Sequence, residues 1–294
     1  MPVGVTTPQV LSDSLPLMVA DARIVREEEG TWQRTCDTRK LNDNTGTGWL
    51  EISLSQLEAE DITDTTENNN SQQIVDTLLT ITPDMSQIMV KITDRTYRKI
   101  AAVVESKIGM LAGNSMARKK DEDYLSLFSG FGTGASPGTG NPLSHGHIAA
   151  AVNRITSNVT ETSTAEVYTV LHGFQVYDIQ SEVLAGVGTY TVPQGLTEET
   201  FRRGFRGTVA NSNLFVDGNI SVDATPDANG ATHSRDGVVA VMGFGIKTET
   251  RRDPSFGGGA DEIFMTDEYA FGERQSTANV WTFRHLSDAT APTS

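Results

Sequence analysis

The sequence of 294 residues contains a single cysteine, Cys36, and no long apolar run. One cysteine excludes an intrachain disulfide framework and any zinc site built from a cysteine cluster. The longest apolar run near the N-terminus, residues 15–20, is interrupted by Pro16, and no basic segment precedes it. We therefore expect neither a signal peptide nor a transmembrane span.

Basic residues are also scarce, because 23 Lys and Arg stand against 38 Asp and Glu, which gives a net charge of −15. A free chain of this charge would repel a nucleic-acid backbone, so a general DNA-binding protein is disfavoured. Hydrophobic residues make up 37% of the chain, and 27 glycines come on top of them. This composition is close to the globular norm, and the length suits one large domain or two modest ones.

The charge is unevenly distributed along the chain. Residues 41–90 contain no Lys or Arg and nine acidic residues, whereas residues 91–120 contain eight basic residues and two acidic ones. Two adjacent segments of opposite sign can attract each other, or the same segments on a neighbouring copy. The alternative is two solvated faces without a partner, because exposed ion pairs contribute little.

Residues 48–82 have the pattern of a two-stranded ribbon. Residues 48–54 alternate as in a half-buried strand, with Leu50, Ile52 and Leu54 on one face. A second strand pattern covers 74–82, and the polar stretch 58–73 between them predicts an exposed loop. Because an isolated ribbon is marginally stable in water, we expect it to lie on another surface.

The strongest helix signal follows a third strand pattern that begins after Pro83. It covers residues 94–128, with Thr93 or Asp94 as a possible cap. Its apolar residues recur at steps of three and four: Tyr97, Ile100, Val104, Ile108, Leu111 and Ala112. A glycine-rich linker over 130–140 separates it from a shorter helix that Ser144 can cap.

The second half of the chain mixes strands and helices without a regular β-α-β repeat, which predicts an α+β fold. The expected elements are a buried strand at 167–171, a helix at 175–183, a β-hairpin at 213–222 turning at 217–218, and strands at 238–246, 263–265 and 280–283.

No motif for nucleophilic, metal-dependent or nucleotide chemistry stands in a supporting context. The glycine pattern at 130–135 follows a helix rather than a strand, which is wrong for a dinucleotide loop. His145 and His147 could face one metal, although a capping or surface role fits them better, and His172 fits a structural role. The acidic residues of 41–84 lack the order of a calcium loop. We therefore expect no enzyme, no cofactor and no metal, with a cytosolic hydrolase at these histidines as a distant alternative.

Several local patterns follow one another in a distinctive order. They are TPDMSQIMVKITD (82–94), DYLSLFSGF (123–131), LSHGHIAAAVNRI (143–155), VYTVLHGFQVYDI (167–179) and TDEYAFGERQSTANVWTF (266–283). With the acidic ribbon and the long basic helix, this order resembles the major capsid protein family of tailed bacteriophages, which has the Hong Kong 97-like fold. The resemblance covers roughly residues 40–285.

The resemblance implies an α+β capsid fold with a defined division of the chain. Its parts would be an N-terminal arm (1–40), an extended β-ribbon loop (41–83), a peripheral domain with a long spine helix (84–141 and 247–286), a mixed α/β axial domain (142–246) and a C-terminal tail (287–294). The sequence 266–283 would form the closing strand pair of the peripheral domain.

The resemblance also implies a function and partners. The chain would self-assemble into pentamers and hexamers of an icosahedral shell, in the virion, around packaged double-stranded DNA that it encloses without sequence-specific binding. Assembly would occur in the host cytoplasm without a membrane, with separate scaffolding and portal proteins and possibly a decoration protein. Another virion component, such as a tail or decoration protein, is the alternative.

The charge inversion then suggests a contact between neighbouring subunits, in which the ribbon of one copy lies across the basic helix region of the next. The candidate contact residues are Trp49, Glu51, Glu58, Glu60, Asp61 and Asp64 on the ribbon, and Arg95, Arg98, Lys99 and Lys107 on the helix region. A second basic cluster, which could contact a neighbouring axial domain or be solvated, comprises Arg202, Arg203 and Arg206. Some relatives join a ribbon lysine covalently to a neighbouring asparagine, and the absence of lysine from 41–84 makes that chemistry improbable here.

Overall fold

The computed structural model describes residues 5–6, 30–42, 46–65, 67–99, 102–132, 136–158, 162–186, 207–274 and 281–292. The strands of this part are β1 (Val5–Thr6), β2 (Asp37–Lys40), β3 (Trp49–Leu54), β4 (Asp76–Ile81), β5 (Asp84–Thr93), β6 (Val167–Leu171), β7 (Thr208–Val209), β8 (Ser212–Val216), β9 (Asp227–Ser234), β10 (Val238–Met242), β11 (Lys247–Asp253), β12 (Ala260–Glu273) and β13 (Thr282–Asp288). The α-helices are α1 (Trp32–Thr35), α2 (Asp94–Tyr97), α3 (Ala102–Ser126), α4 (His145–Thr156) and α5 (Gly173–Gly186). Single 3-10 turns cover Leu127–Gly130 and Arg235–Gly237.

The strands form two mixed sheets and a separate ribbon. The six-stranded sheet has the order β1-β5-β12-β10-β2, with β11 paired to β12. The five-stranded sheet has the order β13-β9-β6-β8-β7, and β3 pairs with β4 alone. Three of the pairings, β1 with β5, β2 with β10 and β6 with β8, are parallel.

The larger core cluster lies where the C-terminal half of α3 meets both sheets. Tyr124 and Phe128 are fully buried, and their rings meet edge to face with centroids 5.0 Å apart. Ala240 of β10 and Ala231 of β9 belong to the same cluster. The end of this helix therefore joins the two sheets into one core, and each large apolar side chain buried there contributes about 1.5–3 kcal/mol.

A second core forms where α4 and α5 cover the five-stranded sheet. Ile148 and Ile155 of α4 lie on one face of that helix and pack with Leu171 and Ile179. Ser144 caps α4 as predicted, because its Oγ accepts from the backbone N–H of His147 while the His147 ring bonds back to Ser144. The imidazole of His147 is therefore part of a capping box, which agrees with the capping role expected for it.

The prediction of a single long helix over 94–128 is wrong in one respect, because the segment contains two helices, α2 and α3. Thr93 caps α2, and its Oγ1 accepts from the N–H of Thr96. The chain then turns at Arg98 and Lys99 before α3 begins at Ala102. A periodicity of 3.6 residues describes both pieces, so it could not reveal the interruption.

The predicted hairpin at 213–222 is also wrong. Strand β8 pairs in parallel with the buried β6, and the Asp217–Gly218 turn leads out of the sheet instead of returning along it. The tight hairpin turn lies before β8, at Ala210 and Asn211, whose φ angles of 47° and 68° are those of a type I′ turn.

The pairing of the last strands differs from the expected closing pair, because β12 and β13 lie in different sheets. β13 pairs with β9, and β10 pairs with β12. The segments 142–246 and 247–286 thus each contribute strands to both sheets, and the domain boundaries between them stay a prediction. Most of the predicted arm 1–40 lies outside the described residues.

Candidate subunit-contact surfaces

The inner face of the ribbon formed by β3 and β4 is fixed to the six-stranded sheet by Arg274. Its Nε donates to Glu51 at 2.7 Å and its Nη2 to Asp37 at 2.9 Å, while its Nη1 donates to the carbonyl of Asp236 at 2.7 Å. The guanidinium carbon also lies 5.9 Å from the centre of the Trp49 ring. Trp49 and Glu51, which we predicted as contacts to a neighbour, therefore both touch Arg274 of their own chain.

The outer face of the ribbon is apolar and exposed. Leu50, Ile52 and Leu54 are 60%, 62% and 62% exposed, and Leu78, which faces Ile52 on β4, is 58% exposed. The alternation predicted for β3 is confirmed, but its aliphatic side is not buried within the chain. Four large apolar side chains on one open sheet face are typical of a surface that another surface covers.

The loop beyond the two strands keeps its two sides together through side-chain amides. The backbone N–H of Glu58 donates to Oε1 of Gln72 at 2.8 Å, and the amide of Asn70 donates to the carboxylate of Glu60. The four acids predicted as contacts in this loop are all exposed: Glu58, Glu60, Asp61 and Asp64. Within the described residues none of them forms an ion pair, so the loop presents uncompensated negative charge.

The predicted basic residues next to β5 form a positive surface. Arg95, Arg98 and Lys99 are exposed, and with Gly257 and Gly258 they line a shallow cavity of about 350 Å³. In the part of the chain that the structure describes, none of the three is ion-paired. We call these three residues the basic patch.

Asp94 lines the same cavity as the basic patch and forms an ion pair with Arg252. The guanidinium of Arg252 donates to both carboxylate oxygens of Asp94 and, at 3.0 Å, to Asp261. This guanidinium holds the pKa of Asp94 below its usual range. Gly259, with φ +116°, lies so close that a Cβ would stand 2.6 Å from Arg252 Nη2 and 2.6 Å from Asp94 Oδ2. The backbone of the 257–259 loop can approach the pair only because no side chain intervenes.

The geometry of the sheets, the ribbon and the buried end of α3 can be compared with solved structures. A chain of Mycobacterium phage Che8 superposes with a TM-score of 0.69 at 13% identity, over 94% of this chain and 98% of that one. A chain of the capsid of cyanophage P-SCSP1u gives 0.68 at 11% identity, over 94% of both chains. A chain of the capsid of Ralstonia phage GP4 gives 0.67 at 12% identity, over 94% of this chain and 96% of that one.

The chain has the fold of bacteriophage capsid proteins. The match extends over nearly the full length of each neighbour, so it concerns the whole fold and not a shared piece. No family model matches the sequence, and no curated protein matches it. The capsid fold predicted from the order of the local patterns is thereby confirmed at the level of the fold.

Several predicted residues of this capsid fold lie where nothing can be said of their side chains. Lys107 belongs to α3, but its side chain is outside the described part, as are Arg202, Arg203 and Arg206 altogether. The glycine pattern at 130–135 is described only in part. Over the described residues no group of three or more His, Cys, Asp or Glu could hold a metal ion, and no helix there is long and apolar enough to span a membrane.

Sequence reasoning missed the two groups that organise the candidate contact surfaces. Arg274 follows the last residue of β12, and nothing in its neighbourhood indicates that it reaches Glu51, 223 positions away. The position of Asp94 predicts a helix cap, whereas its carboxylate accepts hydrogen bonds from Arg252, which lies on a strand 158 positions later. The order of the strands in the sheet brings Arg274 to Glu51 and Arg252 to Asp94, so these pairs could be predicted only from that order.

Proposed function

We propose that this chain is a major capsid protein, whose copies assemble into pentamers and hexamers of an icosahedral shell. The observation that carries the proposal is the capsid fold over 94% of the chain combined with an apolar ribbon face that its own chain leaves open. A subunit that acted alone would expose four aliphatic side chains on this face to water at a cost in solubility.

Charge complementarity supports a particular contact between neighbouring copies. The exposed carboxylates of the ribbon loop and the exposed cations of the basic patch belong to every subunit, and no ion pair joins the two groups within the described chain. The ribbon of one copy would then lie against the basic patch of the next. Each exposed pair contributes about 0–1 kcal/mol, but a closed shell repeats the contact at every subunit.

The same proposal accounts for the net charge of −15. A shell that encloses double-stranded DNA gains from a lining that does not bind the phosphate backbone tightly. Separate scaffolding and portal proteins would complete the particle, with a decoration protein as a further candidate partner. The shell would be assembled in the host cytoplasm, and the subunit itself would carry out no catalysis and need no cofactor.

The experiment that tests the contact is a charge exchange between the two surfaces. We expect Arg95→Glu, Arg98→Glu and Lys99→Glu together to prevent shell formation while the subunit stays folded, as followed by sedimentation and negative-stain microscopy. Adding Glu58→Lys, Glu60→Lys and Asp61→Lys to the same chain should restore shells, because the complementary charges are then exchanged.

A matched control replaces the same number of exposed basic residues elsewhere with glutamate, at Arg34, Lys40 and Lys247. This control should still form shells. Normal shells from the triple patch variant would contradict the proposed contact. Failure of the native chain to form rings or shells under every assembly condition, alone or with its neighbouring reading frames, would contradict the capsid function itself.

A further inference from the structure

Two aspartates lie fully buried and close together where the N-terminal part of the described chain meets the core. Asp121 comes from α3, and Asp217 comes from the turn after β8, and neither side chain is accessible to solvent. In the described part of the chain neither carboxylate forms an ion pair with a cation. A buried carboxylate without a cation is costly unless it is protonated or fully hydrogen-bonded.

The two carboxyl groups bind the same short segment, residues 30–36, which we call the anchor segment. Asp121 accepts from the backbone N–H of Thr31 at 2.9 Å, and Asp217 accepts from the hydroxyl of the same Thr31 at 3.0 Å. Asn219 connects them from the other side, with its amide on Asp121 and its backbone N–H on Asp217, both at 2.9 Å. One residue of the anchor segment is thus held by both acids.

The anchor segment approaches this pair closely. A Cβ on Gly30 would stand 2.5 Å from Oδ1 of Asp121, so the absence of a side chain there lets the backbone reach the carboxyl group. Trp32 then packs edge to face on Phe271 with ring centroids 5.6 Å apart. The two acids therefore supply the polar contacts that hold the anchor segment against α3 and the turn after β8, and Trp32 supplies an apolar contact.

We propose that Asp121 and Asp217 form a proton-dependent latch, which holds the anchor segment while the pair retains one proton and loosens its hold when that proton is lost. With the proton on Asp121, the pair carries a single negative charge, and the Thr31 and Asn219 donors satisfy it. After deprotonation two negative charges face each other in a buried site, and outward movement of the anchor segment admits water to them.

Lys120, whose Nζ lies 5.9 Å from the centre of the Trp32 ring, is ion-paired with Asp267 and not with either acid of the latch. Burial raises the pKa of Asp121 to about 7, and the charge of Asp217 acts in the same direction, against the hydrogen bonds from Asn219 and Thr31. The facing titratable groups are Cys36 of the anchor segment, Tyr124 of α3, and His172 beside Asp217. Burial raises the pKa of the first two and lowers the pKa of His172, so all three are neutral near pH 7.

A cavity adjoins the latch through Asn219. This cavity of about 440 Å³ is lined by Asn219, which bonds to both acids, and by Leu125 and Glu122 of α3. The acids themselves do not line this cavity, so only the Asn219 side of the latch is close to it. This role is independent of the proposed shell contact, because it concerns only how the chain holds its own anchor segment.

Hydrogen exchange of the full chain, read by mass spectrometry on peptides that cover residues 30–36, tests the latch. After correction for intrinsic exchange, we expect the opening equilibrium of the anchor segment to rise about tenfold between pH 6 and pH 8.5, because the latched state releases its proton near pH 7. Asp121→Asn removes the titrating carboxyl group and should abolish this rise. Glu122→Gln, which removes an exposed carboxylate one position along α3, should keep it.

Asp217→Asn provides a second test should Asp121→Asn fail to fold. It removes the neighbouring charge that favours the proton on Asp121, so the rise should level off at a lower pH than in the unmodified chain and should be smaller between pH 6 and pH 8.5. The latch is overturned by an anchor segment whose opening is constant between pH 6 and pH 8.5, by a tenfold rise that persists in Asp121→Asn, or by a rise shared equally by every protected segment.

Discussion

Nε of Arg274 donates to the carboxylate of Glu51 over 2.7 Å, although 223 positions separate the two residues in the chain. Glu51 lies on the inner face of the ribbon, and Arg274 stands at the end of the longest strand of the six-stranded sheet. Because the same guanidinium also binds Asp37 of β2, it connects three parts of the chain at one point. Arg274 therefore joins the base of the ribbon to the sheet at this point.

Replacing Arg274 with Met should therefore loosen the base of the ribbon. Met keeps much of the aliphatic stem but leaves Glu51 and Asp37 without their shared donor. We expect a loss of about 1–3 kcal/mol in the free energy of unfolding, since a charged hydrogen bond contributes in this range. Urea unfolding measures the loss, and hydrogen exchange of β3 and β4 should show faster opening.

Arg39 provides the control for this substitution, because it pairs with the same Asp37 but is 52% exposed. Arg39→Met should cost less than about 1 kcal/mol, as exposed ion pairs do. Equal costs for the two variants would show that the position of Arg274 between the ribbon and the sheet has no special effect.

The outer face of the ribbon should matter for assembly and not for the subunit's own stability. Leu50→Ser, Ile52→Ser and Leu54→Ser together replace side chains that are about 60% exposed, so we expect the unfolding free energy to change by less than about 1 kcal/mol. Shell formation should be lost, because the face can no longer bury apolar area against a neighbour. Thr80→Ser on the same face is the control, and unchanged shells from the triple variant would contradict a role for this face.

The local sequence pattern was sufficient to predict those helices and strands that are determined by residues close together in the chain. The alternation in 48–54, the all-buried strand 167–171 and the Ser144 cap each have a physical cause within a few positions of the chain. These elements occur where the sequence indicates them, because strand and helix periodicities and caps are local properties.

The other features depend on which strands become neighbours, and a single sequence does not encode that order locally. Strand β8 was predicted to begin a hairpin, but it pairs in parallel with β6. The contact between Arg274 and Glu51 likewise depends on how the sheet is assembled. The exposure of Leu50 also escaped prediction, because alternation shows which residues share a face and not what covers that face.

Gly259 should be required for the basic patch. Alanine there would be strained at φ +116°, and its Cβ would displace the Asp94–Arg252 pair from 2.6 Å away. We expect Gly259→Ala to cost about 1–3 kcal/mol and to reduce shell formation. Gly245→Ala is a matched control, since nothing lies within 4 Å of the added Cβ, and it should change neither quantity. If Gly259→Ala formed shells at the normal yield, the Asp94–Arg252 ion pair would have no role in the contact surface.

Acid should destabilise the fold through His233. Its Nδ1 donates to the carbonyl of Ser234 at 3.0 Å, which leaves Nε2 to accept from the Tyr124 hydroxyl at 2.7 Å. Burial lowers the pKa of His233 to about 4, and the bond to Ser234 only partly opposes this. Between about pH 6.5 and pH 4 the unfolded chain takes up a proton that the folded chain does not bind, so stability present above pH 6.5 is lost as the pH falls.

The size of this effect is about tenfold in the unfolding equilibrium constant for each pH unit, as expected for one proton. Asp121 acts with the opposite sign over part of the same range, because its raised pKa makes the folded chain bind a proton that the unfolded chain has released. A difference between two variants is therefore more informative than a single curve. His233→Gln should be less stable than the unmodified chain above pH 6.5, and this difference should narrow as the pH falls because the variant no longer has the one-proton dependence of His233. His145→Gln, at an exposed position, should follow the unmodified chain. Parallel curves for the unmodified chain and His233→Gln would mean that the buried imidazole takes up its proton without unfolding.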